Sequence, residues 1–96
     1  MKSITVLIPA HNEAPVLDAL YARLTKLADS LPEYALEFLF VNDGSTDDTL
    51  WLIKQMAKKD HRISYVNLSR NFGKEIAMIA GIDHVKTDAL VIIDAD

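Results

Sequence analysis

Four short apolar runs, separated by segments with helical spacing, constrain the fold of this chain more than any other feature. The runs span residues 4–8, 36–42, 63–68 and 89–93. Runs of this length, rich in β-branched and aromatic residues, predict β-strands. Because they alternate so little with polar residues, they predict strands buried on both faces, as in a parallel sheet.

Between the runs, apolar residues recur three or four positions apart over residues 17–31, 50–57 and 75–85, which predicts three helices. The third helix is apolar nearly all round, and we expect it to be largely buried. Trp51, on the second helix, is expected to be a partly buried packing residue. The order βαβαβαβ predicts an α/β fold, a doubly wound parallel sheet. With right-handed crossovers the strand order becomes 3-2-1-4, with the first two helices on one face and the third on the other.

Composition narrows the class of partner. The chain has 96 residues, enough for one small domain, and a formal net charge of −4 without any basic run. A nucleic-acid polymer is therefore not expected as a partner, because neutralising its phosphates needs clustered Lys or Arg. There are no cysteines, which excludes a disulfide framework. No apolar segment is long enough for a membrane span, so we expect a soluble chain that at most rests on a membrane.

Polar clusters follow the strands at residues 9–13, 42–48, 70–74 and 94–96. In a sheet of order 3-2-1-4 the switch point falls between the first and fourth strands, and ligands bind there, past the carboxyl ends. Asp94 and Asp96 can both turn toward a hard divalent cation. The alternative is that they are ordinary loop or capping aspartates.

The other clusters also have two interpretations. Asp43 can accept hydrogen bonds from a base or a ribose, but the segment after it is equally good turn and helix-cap chemistry. Residues 70–74 are typical of a phosphate-binding loop that runs into a helix N-terminus. The alternative is a surface loop with two solvated cations. Residues 9–13 could be a loop shaped by Pro9 in which Glu13 meets a ribose or a base, or only a loop with a helix cap, and for them alone the second interpretation is favoured.

Taken together, residues 8–13 (Ile-Pro-Ala-His-Asn-Glu), 41–47 (Val-Asn-Asp-Gly-Ser-Thr-Asp), 70–74 (Arg-Asn-Phe-Gly-Lys) and 94–96 (Asp-Ala-Asp) resemble the family 2 glycosyltransferases. The run at 70–74 is most similar to the polyprenyl-phosphate branch, which includes dolichyl-phosphate mannosyltransferase and bactoprenol glucosyltransferases. The resemblance covers the whole chain in order.

This resemblance implies a GT-A fold in which residues 1–96 form the N-terminal, nucleotide-sugar-binding part of a glycosyltransferase domain. Asp94 and Asp96 match the D-x-D motif, which implies that they hold Mg²⁺ or Mn²⁺ against the donor diphosphate. Arg70 and Lys74 are expected to contact a phosphate or the acceptor. The positions that the resemblance assigns to the nucleotide sugar are Pro9, His11, Glu13, Val41, Asp43, Asp94, Ala95 and Asp96.

The activity that the resemblance implies is transfer of a hexose from UDP- or GDP-hexose to an acceptor, with a polyprenyl phosphate favoured. Acceptor-activating residues and membrane-binding helices are expected in a longer protein, so residues 1–96 are expected to contain no catalytic residue and to be inactive alone. We expect the chain in the cytoplasm, or at the cytoplasmic face of the membrane in a longer form. A homo-oligomer is a further expectation.

Three other classes of protein were weighed against a glycosyltransferase. A non-catalytic nucleotide-binding or assembly module remains the main alternative. A receiver-like phosphoacceptor domain needs aspartates after the first and third strands, where this chain has Pro9 and Asn67. A dinucleotide oxidoreductase lacks its glycine fingerprint here.

Overall fold

The computed structural model describes residues 2–95, so that Asp96, one of the two predicted metal ligands, lies outside the described residues. In the described part of the chain four strands and three α-helices alternate, with one short 3-10 helix before α1. Their bounds are β1 Lys2–Ala10, the 3-10 helix Ala14–Val16, α1 Leu17–Ser30, β2 Tyr34–Asp43, α2 Thr49–Lys59, β3 Ile63–Leu68, α3 Lys74–Ile82 and β4 Ala89–Ile92.

The four strands form one parallel sheet in the order β3-β2-β1-β4, which confirms the predicted topology. β1 pairs with β2 up to Ala10 opposite Asn42, and with β4 up to Leu7 opposite Ile92. This register brings the carboxyl ends of β1, β2 and β4 to the same edge of the sheet. The polar residues that follow these strands are therefore close together in space.

One face of the sheet is covered by α1 and α2. Side chains of β1 and β2 alternate between the faces, because successive residues of a strand point in opposite directions. On this first face they pack against the apolar stripes of both helices. The buried residues of the first face are Val6, Ile8, Ala10, Leu17, Leu20, Leu24, Leu36, Phe38, Phe40, Ile53, Ile63 and Ala95.

Within residues 2–95 the second face is covered by α3 alone, and its buried cluster has four members: Leu7, Leu39, Val41 and Ala77. The helix approaches the sheet closely at Gly81, where a Cβ atom would lie 2.4 Å from Leu7 Cδ1 and 2.8 Å from Val41 Cγ2. Small residues on α3 therefore make its contact with the sheet. The predicted distribution of helices between the two faces is confirmed.

Three burial predictions are wrong. Helix α3 is not largely buried, since Ile79 is 61% exposed and Ile76 is also exposed, because only its small residues face the sheet. Strand β4 is not buried on both faces: within residues 2–95 it pairs with β1 alone, and Val91 is 47% exposed. Trp51 is 60% exposed, because it lies between the buried positions Thr49 and Ile53 on α2 and points away from the sheet.

No helix within residues 2–95 combines the length and the apolar character needed to cross a bilayer.

Candidate functional site

A cavity of about 370 Å³ opens at the carboxyl edge of the sheet, between the ends of β1 and β4. This is the switch point that the topology predicted. Seven of the predicted site residues line it: Pro9, His11, Glu13, Asp43, Lys74, Asp94 and Ala95. Ala10, Asn71 and Gly73 complete the lining. Residues from four separate segments of the sequence thus meet around one cavity.

Asp43, at the end of β2, joins the sheet to the segment before α3. Its buried carboxylate accepts one hydrogen bond from Phe72 N (2.8 Å, at Oδ1) and one from Gly73 N (3.1 Å, at Oδ2). Gly73 N is also 3.0 Å from Asn71 Oδ1. Backbone donors just ahead of a helix are well suited to a carboxylate. Asp43 therefore anchors one wall of the cavity, in addition to facing into it.

Gly44 shows how closely this segment lies on the end of β2. Its φ of +64° is in the left-handed region, and an added Cβ would lie 2.1 Å from Asn71 N and 2.2 Å from Arg70 C. Main-chain atoms cannot move aside as a flexible side chain can. Only glycine therefore fits between the end of β2 and the backbone that crosses it.

His11 forms a second connection across the cavity wall. Its Nδ1 lies 2.7 Å from the Asp43 carbonyl oxygen. Because a carbonyl can only accept, Nδ1 carries the hydrogen, and in the neutral ring Nε2 is then an acceptor. The side-chain amide nitrogen of Asn71 lies 3.3 Å from Nε2 and donates to it. The imidazole thus joins β2 to the segment before α3.

Asn12 fastens the loop after β1 to the loop after β2. Its φ is +54°, a conformation that Asn tolerates better than most residues. Its Oδ1 accepts from Thr46 N (2.8 Å) and Asp47 N (3.3 Å), while its own N–H donates to Ser45 Oγ (3.0 Å). Asn12 faces a neighbouring groove rather than the cavity, and we assign it a structural role.

Asp47 and Thr49 continue this connection at the start of α2. Asp47 Oδ1 accepts from Thr49 N (2.9 Å) and from the Thr49 hydroxyl, and Oδ2 accepts from Ala14 N (3.3 Å). The hydrogen bond from the Thr49 hydroxyl is the main reason why the pKa of Asp47 is lowered. Glu13 N in turn donates to Thr49 Oγ1 (2.9 Å). The backbone that carries Glu13 is therefore held in place at the cavity.

Lys74 and Asp94 close the opposite wall. Lys74 is the first residue of α3, and its Nζ forms an ion pair with Asp94 Oδ1 across the cavity. The Asp94 carboxylate supplies hard oxygen donors at the cavity surface, which fits one ligand of Mg²⁺ or Mn²⁺. Residues 2–95 contain no cluster of three or more His, Cys, Asp or Glu that could hold a metal ion by themselves.

Two predicted site residues lie away from the cavity. Val41 is fully buried in the cluster beneath α3, so its side chain does not line the cavity. The Arg70 guanidinium lies over the Phe72 ring, 4.9 Å from its centroid, and Arg70 lines the neighbouring groove with Asn12. The sequence interpretation of the 70–74 run emphasised its two cations and did not single out Asn71, which lines the cavity.

The comparisons with known proteins agree with this arrangement. The family described as "Glycosyl transferase family 2" matches residues 5–96. The "Prophage bactoprenol glucosyl transferase homolog" of Escherichia coli (strain K12) is 37% identical over 93 residues, which cover 97% of this chain and 30% of that protein.

Solved structures agree as well. The mannosyltransferase PcManGT from Pyrobaculum calidifontis, in complex with GDP-Man and Mn²⁺, superimposes with a TM-score of 0.81 at 26% identity, over 97% of this chain and 27% of that one. For the fold alone, S. aureus TarS 1-349 gives a TM-score of 0.82 at 23% identity, over 100% of this chain and 28% of that one. The chain thus spans less than a third of the length of these proteins. With the GT-A arrangement of its sheet and a family match over almost its whole length, the chain belongs to the family 2 glycosyltransferases.

Proposed function

We propose that this chain is the donor-binding part of a glycosyltransferase that transfers a hexose from UDP- or GDP-hexose to a polyprenyl phosphate. The observation that carries the proposal is the cavity at the switch point of the sheet. Its walls bring together carboxylates, a lysine and a histidine from four segments of the chain, and these groups can contact the polar and the anionic parts of a nucleoside diphosphate. We assign residues 1–96 to the nucleotide-sugar-binding part of the domain.

The diphosphate end is assigned to the wall formed by α3 and β4. Asp94 and Asp96 are the proposed ligands of a Mg²⁺ or Mn²⁺ ion. When bound, such an ion neutralises the charge that develops on the leaving diphosphate. Lys74, the first residue of α3, adds a positive charge on the same side of the cavity, at the helix N-terminus. Anionic groups of the donor are therefore best accommodated at this wall.

The nucleoside end is assigned to the wall formed by β1 and β2. Each Asp43 oxygen has one backbone partner, and a carboxylate oxygen has a second lone-pair site for a base N–H or a ribose hydroxyl. His11 and Glu13 flank it, and Pro9 and Ala95 offer small apolar surfaces against the sugar or the base. Val41 contributes to this wall from beneath, by supporting Pro9, its partner in the register of β1 and β2.

The relatives support the choice of substrates. PcManGT holds GDP-Man and Mn²⁺, and the E. coli relative is named for a bactoprenol acceptor. A polyprenyl phosphate is already anionic, so its oxygen can attack the anomeric carbon as the bond to the diphosphate breaks. We assign the acceptor site and contact with the cytoplasmic face of the membrane to other parts of the longer proteins. Residues 1–96 alone are expected to bind the donor without transferring sugar.

Calorimetric titration of the chain with UDP and with GDP, each with and without Mn²⁺, tests the proposal. We expect metal-dependent binding of one nucleotide, which also identifies the base. Asp94→Asn should weaken this binding at least tenfold, because it removes a charged metal ligand. Asp83→Asn is the matched control: Asp83 is exposed at the end of α3, and its loss should leave affinity unchanged.

Two results would contradict the proposal. One is that neither nucleotide binds to a chain whose circular dichroism shows it to be folded. The other is that binding is equally strong without metal and in Asp94→Asn. A transfer assay with polyprenyl phosphate and the cognate nucleotide sugar, on a protein of the relatives' length that carries this sequence, separates a transferase from a non-catalytic nucleotide-binding module.

A further inference from the structure

We infer that His11 is a positioning residue for the donor: its neutral imidazole orients the side-chain amide of Asn71, and Asn71 donates a hydrogen bond to the nucleotide. The identity of the ligand, a nucleoside diphosphate, rests on the proposed function. Asn71 makes the polar contact, and His11 acts through it.

The tautomer of His11 is fixed from both sides of the ring. Nδ1 lies 2.7 Å from the carbonyl oxygen of Asp43, which can only accept, so Nδ1 carries the hydrogen. Nε2 faces two amide nitrogens that can only donate, Asn71 Nδ2 at 3.3 Å and Asn12 Nδ2 at 3.4 Å. The other tautomer would set an N–H against these donors and a lone pair against the carbonyl. Both ring nitrogens are therefore used within the chain.

The amide of Asn71 is oriented by the same set of hydrogen bonds. Its Oδ1 accepts from Gly73 N (3.0 Å), so its nitrogen faces His11 Nε2. Gly73 N also donates to Asp43 Oδ2 (3.1 Å), and His11 Nδ1 donates to Asp43 O. The hydrogen bonds thus form a closed ring that begins and ends on Asp43. Turning the Asn71 amide over would set two donors against each other at Gly73 and two acceptors at His11.

Asn71 has an amide hydrogen left for a ligand. An asparagine amide carries two hydrogens, and within residues 2–95 one of them is used, at His11. Asn71 lines the cavity together with Asp43. The cavity therefore offers a donor on Asn71 beside the acceptor oxygens of Asp43. Without His11 the Asn71 nitrogen loses this partner, and the donor is no longer held for the nucleotide.

Calorimetric titration with UDP and GDP in the presence of Mn²⁺, on variants of His11, tests this role. His11→Phe keeps a flat ring and removes its hydrogen bonds. It should weaken binding about two- to tenfold, the range expected for one lost hydrogen bond. His11→Gln, whose amide oxygen can reach the position of Nε2 and accept from Asn71, should recover most of this loss. His61→Phe, at an exposed histidine between α2 and β3, is the matched control and should bind as the wild type does.

A double-mutant cycle with Asn71→Ala shows whether His11 acts through Asn71. Asn71→Ala alone should weaken nucleotide binding by a similar factor, and adding His11→Phe to it should cost little more. Circular dichroism verifies that each variant is folded. Wild-type affinity in His11→Phe, which is the result for a ring that only packs, overturns the inference. Additive losses in the double variant overturn it as well.

The tautomer is measured on the wild type without any nucleotide. A long-range ¹H–¹⁵N correlation spectrum should show Nδ1 of His11 protonated and Nε2 unprotonated, and the side-chain amide signals of Asn71 should shift in His11→Phe. The opposite tautomer overturns the inference. If the tautomer and the Asn71 signals are as expected but neither nucleotide binds to the wild type, the orientation of Asn71 by His11 is supported and the proposed donor site is contradicted.

Discussion

The two faces of the sheet are built from the same strands and differ in how they are covered. Among the residues that the structure describes, twelve buried ones form the cluster beneath α1 and α2, and four form the cluster beneath α3. On the first face large apolar side chains of the helices point inward. On the second, α3 faces the sheet with Ala77 and Gly81, and its isoleucines point outward. Apolar content alone therefore does not determine burial; the position of the apolar residues on each element does.

The two walls of the candidate site differ in the same way as the two faces of the sheet. Its β1 and β2 wall is continuous with the well-packed strands and is tied together by hydrogen bonds of His11, Asp43 and Thr49. Its α3 and β4 wall carries the two exposed charges of Lys74 and Asp94 on elements with less buried surface. The side chains of the two walls are therefore held differently, by hydrogen bonds within the chain on one side and by an exposed ion pair on the other. The predictions below test how far the two halves differ.

The largest effect is expected on the first face. Phe40→Ala removes a fully buried ring from the cluster beneath α1 and α2, and should destabilise the fold by about 3–5 kcal/mol, through lost burial and the cavity left behind. Phe72→Ala, the same substitution in the exposed segment before α3, should cost less than about 1 kcal/mol. Urea denaturation followed by circular dichroism measures both. Equal losses would remove the distinction between the two regions.

A polar cluster also stabilises the first face. Asp60 follows α2, is buried, and accepts hydrogen bonds from Tyr21 on α1 (2.9 Å) and from Arg62 (2.7 Å to Nη2). The Arg62 guanidinium holds the pKa of Asp60 well below its usual range, and Asp60 in turn raises the pKa of Arg62 and of Tyr21. Arg62 also lies 5.5 Å from the centroid of the Phe38 ring. This cluster links both helices to the start of β3.

Asp60→Asn should destabilise the fold by about 2 kcal/mol at pH 7, since it removes charge-assisted hydrogen bonds from a buried acceptor. Because the folded-state pKa of Asp60 is lower than its unfolded value of about 3.9, the stabilisation is fully present above that value. It is lost as the pH falls toward the folded pKa. The difference between wild type and Asp60→Asn should therefore shrink below about pH 4. Asp83→Asn serves as the exposed control, and a difference that persists unchanged at pH 2 would contradict the assignment.

Topology and the side of the sheet taken by each helix could be predicted from the sequence, because strand period and right-handed crossovers leave few alternatives. The position of the cavity followed from the same rules. The burial of α3 and β4 could not, since an apolar residue does not reveal which element covers it. The sequence pattern predicts that Ile79 and Val91 are core residues, whereas both are exposed in the structure. Trp51 was assigned to packing and also is exposed.

For the site, residue types that follow strand ends were predictable, and contacts between distant loops were not. Asp43 was expected to face a ligand, but nothing in the sequence indicates that its carboxylate also binds the backbone of Phe72 and Gly73. The cluster of Asp60, Arg62 and Tyr21 was missed because Tyr21 lies 39 residues away from Asp60 along the chain. The sequence predicts a turn after Asp43, but it does not indicate that the close crossing of the backbone at residues 70–71 is what requires glycine at position 44.

A smaller effect is expected where α3 touches the second face. Gly81→Ala adds a methyl group into space already taken by the Leu7 and Val41 side chains. Overpacking costs about 1–3 kcal/mol, and the better helix propensity of alanine offsets about 1 kcal/mol, so we expect a net loss of about 1 kcal/mol. Leu7→Ala removes the nearest of these contacts and leaves Val41 Cγ2 at 2.8 Å, so there the same change should cost less than in the wild type. A double-mutant cycle measured by denaturation gives this coupling. An additive cycle would show that α3 does not approach the sheet as closely as Gly81 indicates.

The smallest effect is expected on the outer surface of α3. Ile79→Ala should change the free energy of unfolding by less than about 0.5 kcal/mol, because the side chain is 61% exposed and contributes little buried area. Its exposed neighbour Ile76 should behave in the same way, whereas Leu24→Ala on the buried stripe of α1 should cost about 2–5 kcal/mol.

Denaturation at several protein concentrations distinguishes an α3 surface that is exposed in solution from one that a second copy of the chain covers. If Ile79→Ala costs more than 1 kcal/mol and the cost grows with concentration, a second copy of the chain covers α3, since association stabilises the folded state by mass action. Both faces would then be covered in solution, and the α3 and β4 wall of the site would belong to an oligomer. A small, concentration-independent effect would instead leave α3 as the less covered element beside the charges of Lys74 and Asp94.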